Sequence, residues 1–159
     1  ITVEAGAQIK THVPTSATQG GGYVLLLGTE VTNAGSIATP KGQTLLSAGD
    51  DFIIRRGYGT AENKYSTTRG NEVRGLISAG SDSGTVTNSG LIEAAQGDIT
   101  LAGRTIRQDG VALATTGVNQ RGTIHLLNSA SDAEGSVTLG KDSLTIIPPE
   151  LDSKATALN

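Results

Sequence analysis

Short stretches with a period of two residues recur along the chain and predict β-strands. In each stretch the second and fourth residues after a glycine are apolar or β-branched. The five copies are GYVLL from Gly22, GQTLL from Gly42, GDITL from Gly97, GTIHL from Gly122 and GSVTL from Gly135. Alternation with period two is typical of a strand that turns one face towards a core. The opening ITVEAG fits the same unit without its glycine.

A longer unit also repeats, and it contains the short one. VTNAGSIATPKGQTLLSAG begins at Val31, and VTNSGLIEAAQGDITLAG begins at Val86. The positions that match include Asn33 with Asn88, Ile37 with Ile92, Gly42 with Gly97 and Leu46 with Leu101. We expect the shift between the two copies to hold about two coils of a repeating structure plus an insertion.

Short strands between tight corners leave two architectures, a parallel β-helix or a sandwich of antiparallel hairpins. In a β-helix, equivalent residues of successive coils stack directly, so a given position stays apolar from copy to copy. The aligned Val, Ile and Leu positions do this, and a sandwich has no such requirement. The sequence therefore predicts an all-β parallel β-helix. We expect Asn33 and Asn88 at its corners, because asparagine tolerates left-handed backbone and bonds local backbone groups.

One segment breaks the alternation and predicts an insertion outside the coil. IIRRGYGTAENKYSTTRGNEVRG runs from Ile53 to Gly75, and we place the loop at residues 55–75. Arginine and tyrosine are enriched at the energetic centres of interfaces. The candidate binding residues are Arg55, Arg56, Tyr58, Tyr65 and Arg69. The alternative is a solvated loop that binds nothing.

Composition narrows both the core and the partners. The chain has 22 glycines, 3% aromatic residues and no Cys, Met or Trp, so its core must be built from Val, Ile, Leu and Ala. A net charge of −3 without a basic run argues against nucleic acid as a partner. No apolar run reaches the roughly 18 residues that a membrane-spanning helix needs.

Candidate chemistry is sparse. Asp50 and Asp51 precede Arg55 and Arg56, which admits a polysaccharide lyase or glycosidase site with two carboxylates. Adjacent residues of a strand point to opposite faces, however, so a solvated corner is the favoured interpretation. His12 and His125 lack the spacing of zinc ligands, and we predict no metal, cofactor or catalytic residue. His125 stands between Ile124 and Leu126 and is expected to face outward.

The run GLISAG, followed by VTNSGLIEAAQGDITLAGRTIRQDGVALATTGVNQRGTIHLLNSASDAEGSVTLGKDSLTIIPPELDSKATAL, resembles a segment of the filamentous-haemagglutinin-like exoproteins of the two-partner secretion pathway. The resemblance covers Gly75 to Leu158. It implies a right-handed parallel β-helix, passage through an outer-membrane transporter and a place on the bacterial cell surface. The secretion motif of the NPNG type is missing, so the resemblance implies a downstream shaft segment.

The domain prediction is therefore one β-helical segment, residues 1–159, of a longer exoprotein, with a C-terminal tail at 148–159. Pro148 and Pro149 have no backbone donor, so the last strand is expected to stop at Ile147. The predicted function is a structural and adhesive shaft whose partner is a host or bacterial surface glycan or protein. The alternative is a carbohydrate-active β-helix enzyme.

Overall fold

The computed structural model of the protein describes residues 1–15, 20–57, 70–118, 120–129 and 132–150. Over these residues the chain is all-β, with no helix, and it passes through three parallel sheets in the same order in each round. The first two rounds are β1 (Thr2–Val3), β2 (Gln8–Lys10), β3 (Tyr23–Gly28), β4 (Glu30–Asn33), β5 (Ser36–Ala38) and β6 (Gln43–Ala48). The strands of a hairpin, β7 (Asp51–Arg56) and β8 (Asn71–Leu76), follow.

Two further full rounds, and the first two strands of another, complete the described chain. Their strands are β9 (Thr85–Asn88), β10 (Leu91–Ala94), β11 (Asp98–Ala102), β12 (Thr105–Gln108), β13 (Val111–Ala114), β14 (Thr123–Leu127), β15 (Ser136–Leu139) and β16 (Leu144–Ile146). The first sheet has the order β1-β4-β9-β12-β15, the second β2-β5-β10-β13-β16 and the third β3-β6-β11-β14. Neighbouring strands come from successive rounds and pair in parallel, so a sandwich of antiparallel hairpins is excluded for them.

The predicted stacking of like side chains is confirmed in the third sheet. One column runs Val24, Thr44, Ile99, Ile124, and the next runs Leu26, Leu46, Leu101, Leu126. The middle members of both columns are fully buried, and Leu46, Ile99 and Leu101 among them belong to one hydrophobic cluster. Each fully buried Leu or Ile side chain contributes about 2 kcal/mol by leaving water. The repeat unit found in the sequence is therefore the unit of the core.

Two of the stretches that align in sequence do not stack with the other four. GSVTL forms β15, and Val137 lies beside Ile106 in the first sheet rather than beside Ile124. The opening ITVEAG forms β1, which also belongs to the first sheet, where Thr2 pairs with Thr32. Alternate side chains of a strand face the core in all three sheets, so period two identifies a strand without identifying its sheet.

The spacing of the long repeat was also misjudged. Val31 pairs directly with Val86, and Leu46 pairs directly with Leu101. The two copies are therefore neighbours, one round apart, and not two. The hairpin and its connecting residues, which lie between β6 and β9, supply the extra length.

A ladder of side-chain amides crosses the core at the ends of β4, β9 and β12. Asn33 Nδ2 donates to Asn88 Oδ1 at 2.8 Å, and Asn88 Nδ2 donates to Gln108 Oε1 at 2.8 Å. All three residues are fully buried. Asn33 and Asn88 also donate to the carbonyl oxygens of Leu91 and Val111, each in the following round. The ladder thus joins successive rounds as well as successive side chains.

The prediction that these asparagines use left-handed backbone is wrong. Among the described residues other than glycine, positive φ occurs at Lys41 (54°) and Gln96 (53°), which precede Gly42 and Gly97. Asn33 and Asn88 are instead strand residues whose amides turn inward. Each asparagine ends its strand and donates to the amide oxygen stacked on it, while Asn33 Oδ1, at the end of the ladder, has no hydrogen-bond partner among the described residues.

The described part of the predicted tail, residues 148–150, is bonded to the sheets. Thr116 N–H donates to the Pro148 carbonyl at 3.0 Å, and Glu150 N–H donates to the Thr116 carbonyl at 2.9 Å. This parallel bridge pairs Thr116 with Pro149 and uses only the groups that flank Pro149. β16 itself ends at Ile146, one residue before the expected end at Ile147, and the bridge at Pro149 is isolated. Pro149 can take part in it because this register requires no N–H from the proline. Residues 151–159 lie outside the described residues.

Replacing Asn88 with alanine should destabilise the protein by about 2 to 4 kcal/mol, because it leaves buried amide groups of Asn33 and Gln108 without their partner. Thr87→Ala, on the solvent side of the same strand, should change the free energy of unfolding by less than about 0.5 kcal/mol. Urea titration followed by circular dichroism measures both. Equal effects of the two substitutions would show that the ladder contributes little.

Candidate functional site: the hairpin on the third sheet

The hairpin is bound to the third sheet through the free edge of β8. Gly57 N–H donates to the Gly70 carbonyl at 2.7 Å, so the backbone groups of the next pair, Arg56 and Asn71, point away from each other. The side-chain amide of Gln43 in β6 takes both outward groups of Asn71. Asn71 N–H donates to Gln43 Oε1 at 2.8 Å, and Gln43 Nε2 donates to the Asn71 carbonyl at 2.5 Å. Gln43 thus bonds to β8 as a backbone peptide group of a neighbouring strand would.

Glycine at positions 70 and 75 lets β8 lie this close. A Cβ atom added at Gly75 would lie 2.6 Å from the Ala48 carbonyl oxygen. At Gly70, where φ is +81°, an added Cβ would lie 2.7 Å from Gln43 Oε1 and 2.9 Å from Tyr23 Cε1. The sequence places the two glycines where backbone and side chains of the sheet come nearest.

The outer face of the third sheet is buried beneath β8. Cα atoms of β8 come within 8 Å of Cα atoms in both β6 and β11. Gln43, Leu45 and Ser47 alternate with core residues along β6, yet each is at most 1% exposed. The insertion therefore adds a second layer on the sheet.

Three buried polar atoms on the outer side of the third sheet have no hydrogen-bond partner among the described residues. They are Ser47 Oγ, Thr100 Oγ1 and His125 Nε2. Thr100 pairs with His125 in register, and both face outward from the core columns as the alternation predicts. His125 is only half-exposed, so it differs from the open surface residue that the sequence indicated.

The structure describes two of the five candidate binding residues. Arg55 and Arg56 are exposed residues of β7, opposite Glu72 and Asn71 respectively. As neighbours in a strand they project from opposite faces of the hairpin. Tyr58, Tyr65 and Arg69 lie outside the described residues. Only Arg55 and Arg56 are thus placed, and not on one face.

Tyr23 belongs to this site, although sequence reasoning missed it. It begins β3, is 55% exposed and pairs with Gln43 in the third sheet. Its ring lies beside Gly70, where the loop between the hairpin strands ends. No local motif connects Tyr23 with the insertion, because the contact depends on register between β3 and β6.

The carboxylates of Asp50 and Asp51 accept hydrogen bonds from different groups. Asp50 accepts from Ser78 N–H at 2.7 Å and Ser81 Oγ at 2.9 Å, whereas Asp51 accepts from Phe52 N–H at 2.8 Å. The Ser78 backbone hydrogen bond, with bonds from Ser83 and Ser81, lowers the pKa of Asp50 to about 2. Asp50 is therefore ionised at neutral pH and has no proton to donate.

An arginine holds the same serine-rich segment from the other side. Arg104 donates from Nε to Asp132 at 2.8 Å and from a terminal guanidinium nitrogen to the Ser81 carbonyl at 2.9 Å. The hydrogen bond to Asp132 raises the pKa of Arg104 and lowers the pKa of Asp132. The arrangement of Asp50, Ser81, Arg104 and Asp132 fixes the segment that leads from the hairpin into β9.

Within the described ranges, no three His, Asp or Glu side chains come together as metal ligands do. The same part of the chain contains no helix with the length and hydropathy of a membrane span. Comparisons with protein-family models, curated proteins and solved structures find no match to the chain.

Asp50 should make the stability of the protein pH-dependent below pH 4. Its pKa is about 2 in the folded chain, against an ordinary value of 3.8. The carboxylate stabilises the fold fully above its unfolded pKa, and this contribution is lost as pH falls towards the folded value. Thermal melts from pH 5 to pH 2 should therefore show a smaller decline for Asp50→Asn than for the unchanged protein. Parallel curves would contradict the assignment.

Gln43→Ala should loosen β8 while leaving β6 in place, because it removes both bonds to Asn71. Hydrogen exchange of the amides in β8 should quicken about ten-fold, with no change in β6. Gln8→Ala, at an exposed position of β2, is the matched control. Unaltered exchange in β8 would show that the Gln43 amide does not hold the hairpin.

Proposed function

We propose that the protein is an adhesive shaft segment of a secreted bacterial surface protein of the filamentous-haemagglutinin-like kind. In this proposal the three parallel sheets are the faces of a right-handed parallel β-helix. The full-length protein reaches the cell surface through an outer-membrane transporter. Parallel pairing of every round with the next supports the β-helix, and the resemblance over Gly75 to Leu158 supports the family.

The observation that carries the adhesive role is the attachment of the hairpin base to the third sheet. A loop rich in arginine and tyrosine binds best when its ends are already fixed, since less conformational entropy is lost on binding. The Gly57–Gly70 bond closes the base of the loop, and Gln43 ties that base to the shaft. The stacked strands thus fix the positions of Gly57 and Gly70, which border the remaining candidate residues in sequence.

The proposed contact surface comprises Arg55, Arg56, Tyr58, Tyr65 and Arg69, and we add Tyr23 beside the loop base. Guanidinium groups suit carboxylates of an acidic glycan or of a protein, and tyrosine rings stack on sugar or apolar surfaces. Arg55 and Arg56 project from opposite faces. A partner that spans the upper part of the hairpin therefore engages both, whereas a partner on one face engages one.

Replacing Arg55, Arg56 and Tyr58 with alanine should leave the fold intact and reduce attachment to host or bacterial surfaces by ten-fold or more, about the loss expected for interface centres. The control is the double variant Lys10→Ala, Lys141→Ala, which removes the same number of positive charges, two, from other exposed positions. Attachment of protein-coated beads, measured alongside far-ultraviolet circular dichroism, gives the comparison. Equal attachment of all three proteins would discard the loop as the binding element.

A further inference from the structure

The outer edge of β7 is an open strand edge. The hydrogen-bonding alternation set by Gly57 and Gly70 directs the backbone groups of Phe52, Ile54 and Arg56 away from β8. Asp51 Oδ1 accepts the N–H of Phe52. Ile54 and Arg56 have no partner for these groups within the described part of the chain. Since β8 holds the sheet, this edge faces solvent.

The edge also exposes apolar side chains. Ile53 is 38% exposed and Ile54 is 55% exposed, so both faces of β7 present an isoleucine to water. An exposed strand edge with apolar side chains pairs readily with another strand, and natural proteins usually protect such edges. Here Arg55 and Arg56 follow the isoleucines, and Asp50 and Asp51 precede the strand centre. The strand thus begins with negative and ends with positive charges, which suits an antiparallel partner strand with the same order of charges.

The strand is complementary to itself in one antiparallel register. Antiparallel pairing sets residues with outward backbone groups opposite each other, so an even-numbered residue of one copy must face an even-numbered residue of the other. If Ile53 faces Ile53 of a second copy, Asp51 faces the second copy's Arg55. Phe52 then faces the second copy's Ile54. Every pair is either apolar or oppositely charged.

The neighbouring symmetric register lacks this complementarity. With Ile54 opposite Ile54, Ile53 meets Arg55 and Phe52 meets Arg56 of the second copy. Opposite charges directly across a ladder stabilise it, whereas an arginine opposite an aliphatic side chain gains little. The charges therefore select the register centred on Ile53.

We propose that two copies of this chain associate by antiparallel pairing of β7 with β7 about a two-fold axis at Ile53. The product is a four-stranded sheet in the order β8-β7-β7-β8. Asp51 exchanges its bond with Phe52 N–H for Arg55 of the second copy, and Phe52 N–H passes to the carbonyl of the second copy's Ile54. An isologous pairing of this kind uses up both edges and stops at a dimer. The pairing does not rest on the proposed adhesive role, although Arg55 belongs to both proposed surfaces.

A single cysteine tests the register directly, because the chain has none of its own. In the proposed dimer the two Ile53 residues form a pair without backbone bonds, with Cα atoms about 4.5 Å apart. Disulfides accept Cα separations of about 4.4–6.8 Å. Ile53→Cys should therefore give a covalent dimer on mild oxidation, seen by non-reducing electrophoresis. Ile54→Cys is the matched control, because the two Ile54 residues are diagonal neighbours about 7–8 Å apart and should give no covalent dimer.

Charge reversal tests the pairing in the protein without cysteine. Asp51→Arg and Arg55→Asp should each raise the dissociation constant of the dimer, measured by sedimentation velocity, about ten-fold. The two-fold axis creates two pairs of these positions, so each substitution sets like charges opposite each other at both. The double variant restores opposite charges and should restore association. Circular dichroism checks that each variant folds. The proposal fails if the unchanged protein is monomeric at every concentration measured. It also fails if Ile54→Cys forms more covalent dimer than Ile53→Cys, or if the double variant associates no more tightly than the single variants.

Discussion

The structure depends on register between successive parallel rounds. Each side chain lies above its equivalent, so Leu46 meets Leu101 and Asn33 meets Asn88. Apolar columns gain stability from burial but tolerate any apolar neighbour, and they fix the register only through their alternation. The amide ladder is stricter, because a shift by one residue would leave its buried donors unbonded. The columns supply most of the stability, and the ladder supplies the specificity.

The hairpin continues the same principle in a second layer. Gln43 extends the third sheet towards β8 with an amide that imitates a backbone peptide, and glycines 70 and 75 permit the approach. Through these contacts, the strands that interrupt the repeat are attached to the third sheet. This attachment also leaves β7 as the outer strand of the hairpin, where both the arginines and the open edge face solvent. The adhesive surface and the self-pairing edge proposed above are thus consequences of one contact.

Several wrong expectations share one cause. The alternation correctly marked strands, but it aligned β1 and β15 with strands of another sheet, and about two rounds were expected between repeats that are one apart. Each error concerns which strand lies beside which, and neighbours in this fold are a round or more apart in sequence. Tyr23 was missed for the same reason, since its place beside Gly70 follows from pairing with Gln43.

The sequence by itself determined the class of structure, because period-two alternation, glycine corners and a repeated Asn column are local signals. It also located the candidate binding residues in the one segment that breaks the pattern. Only the tertiary structure decided that this segment folds back on the third sheet, that Asp50 is held ionised by serines, and that Arg55 and Arg56 face apart. These features arise from contacts between distant residues, and a local pattern carries no information about which distant groups will meet.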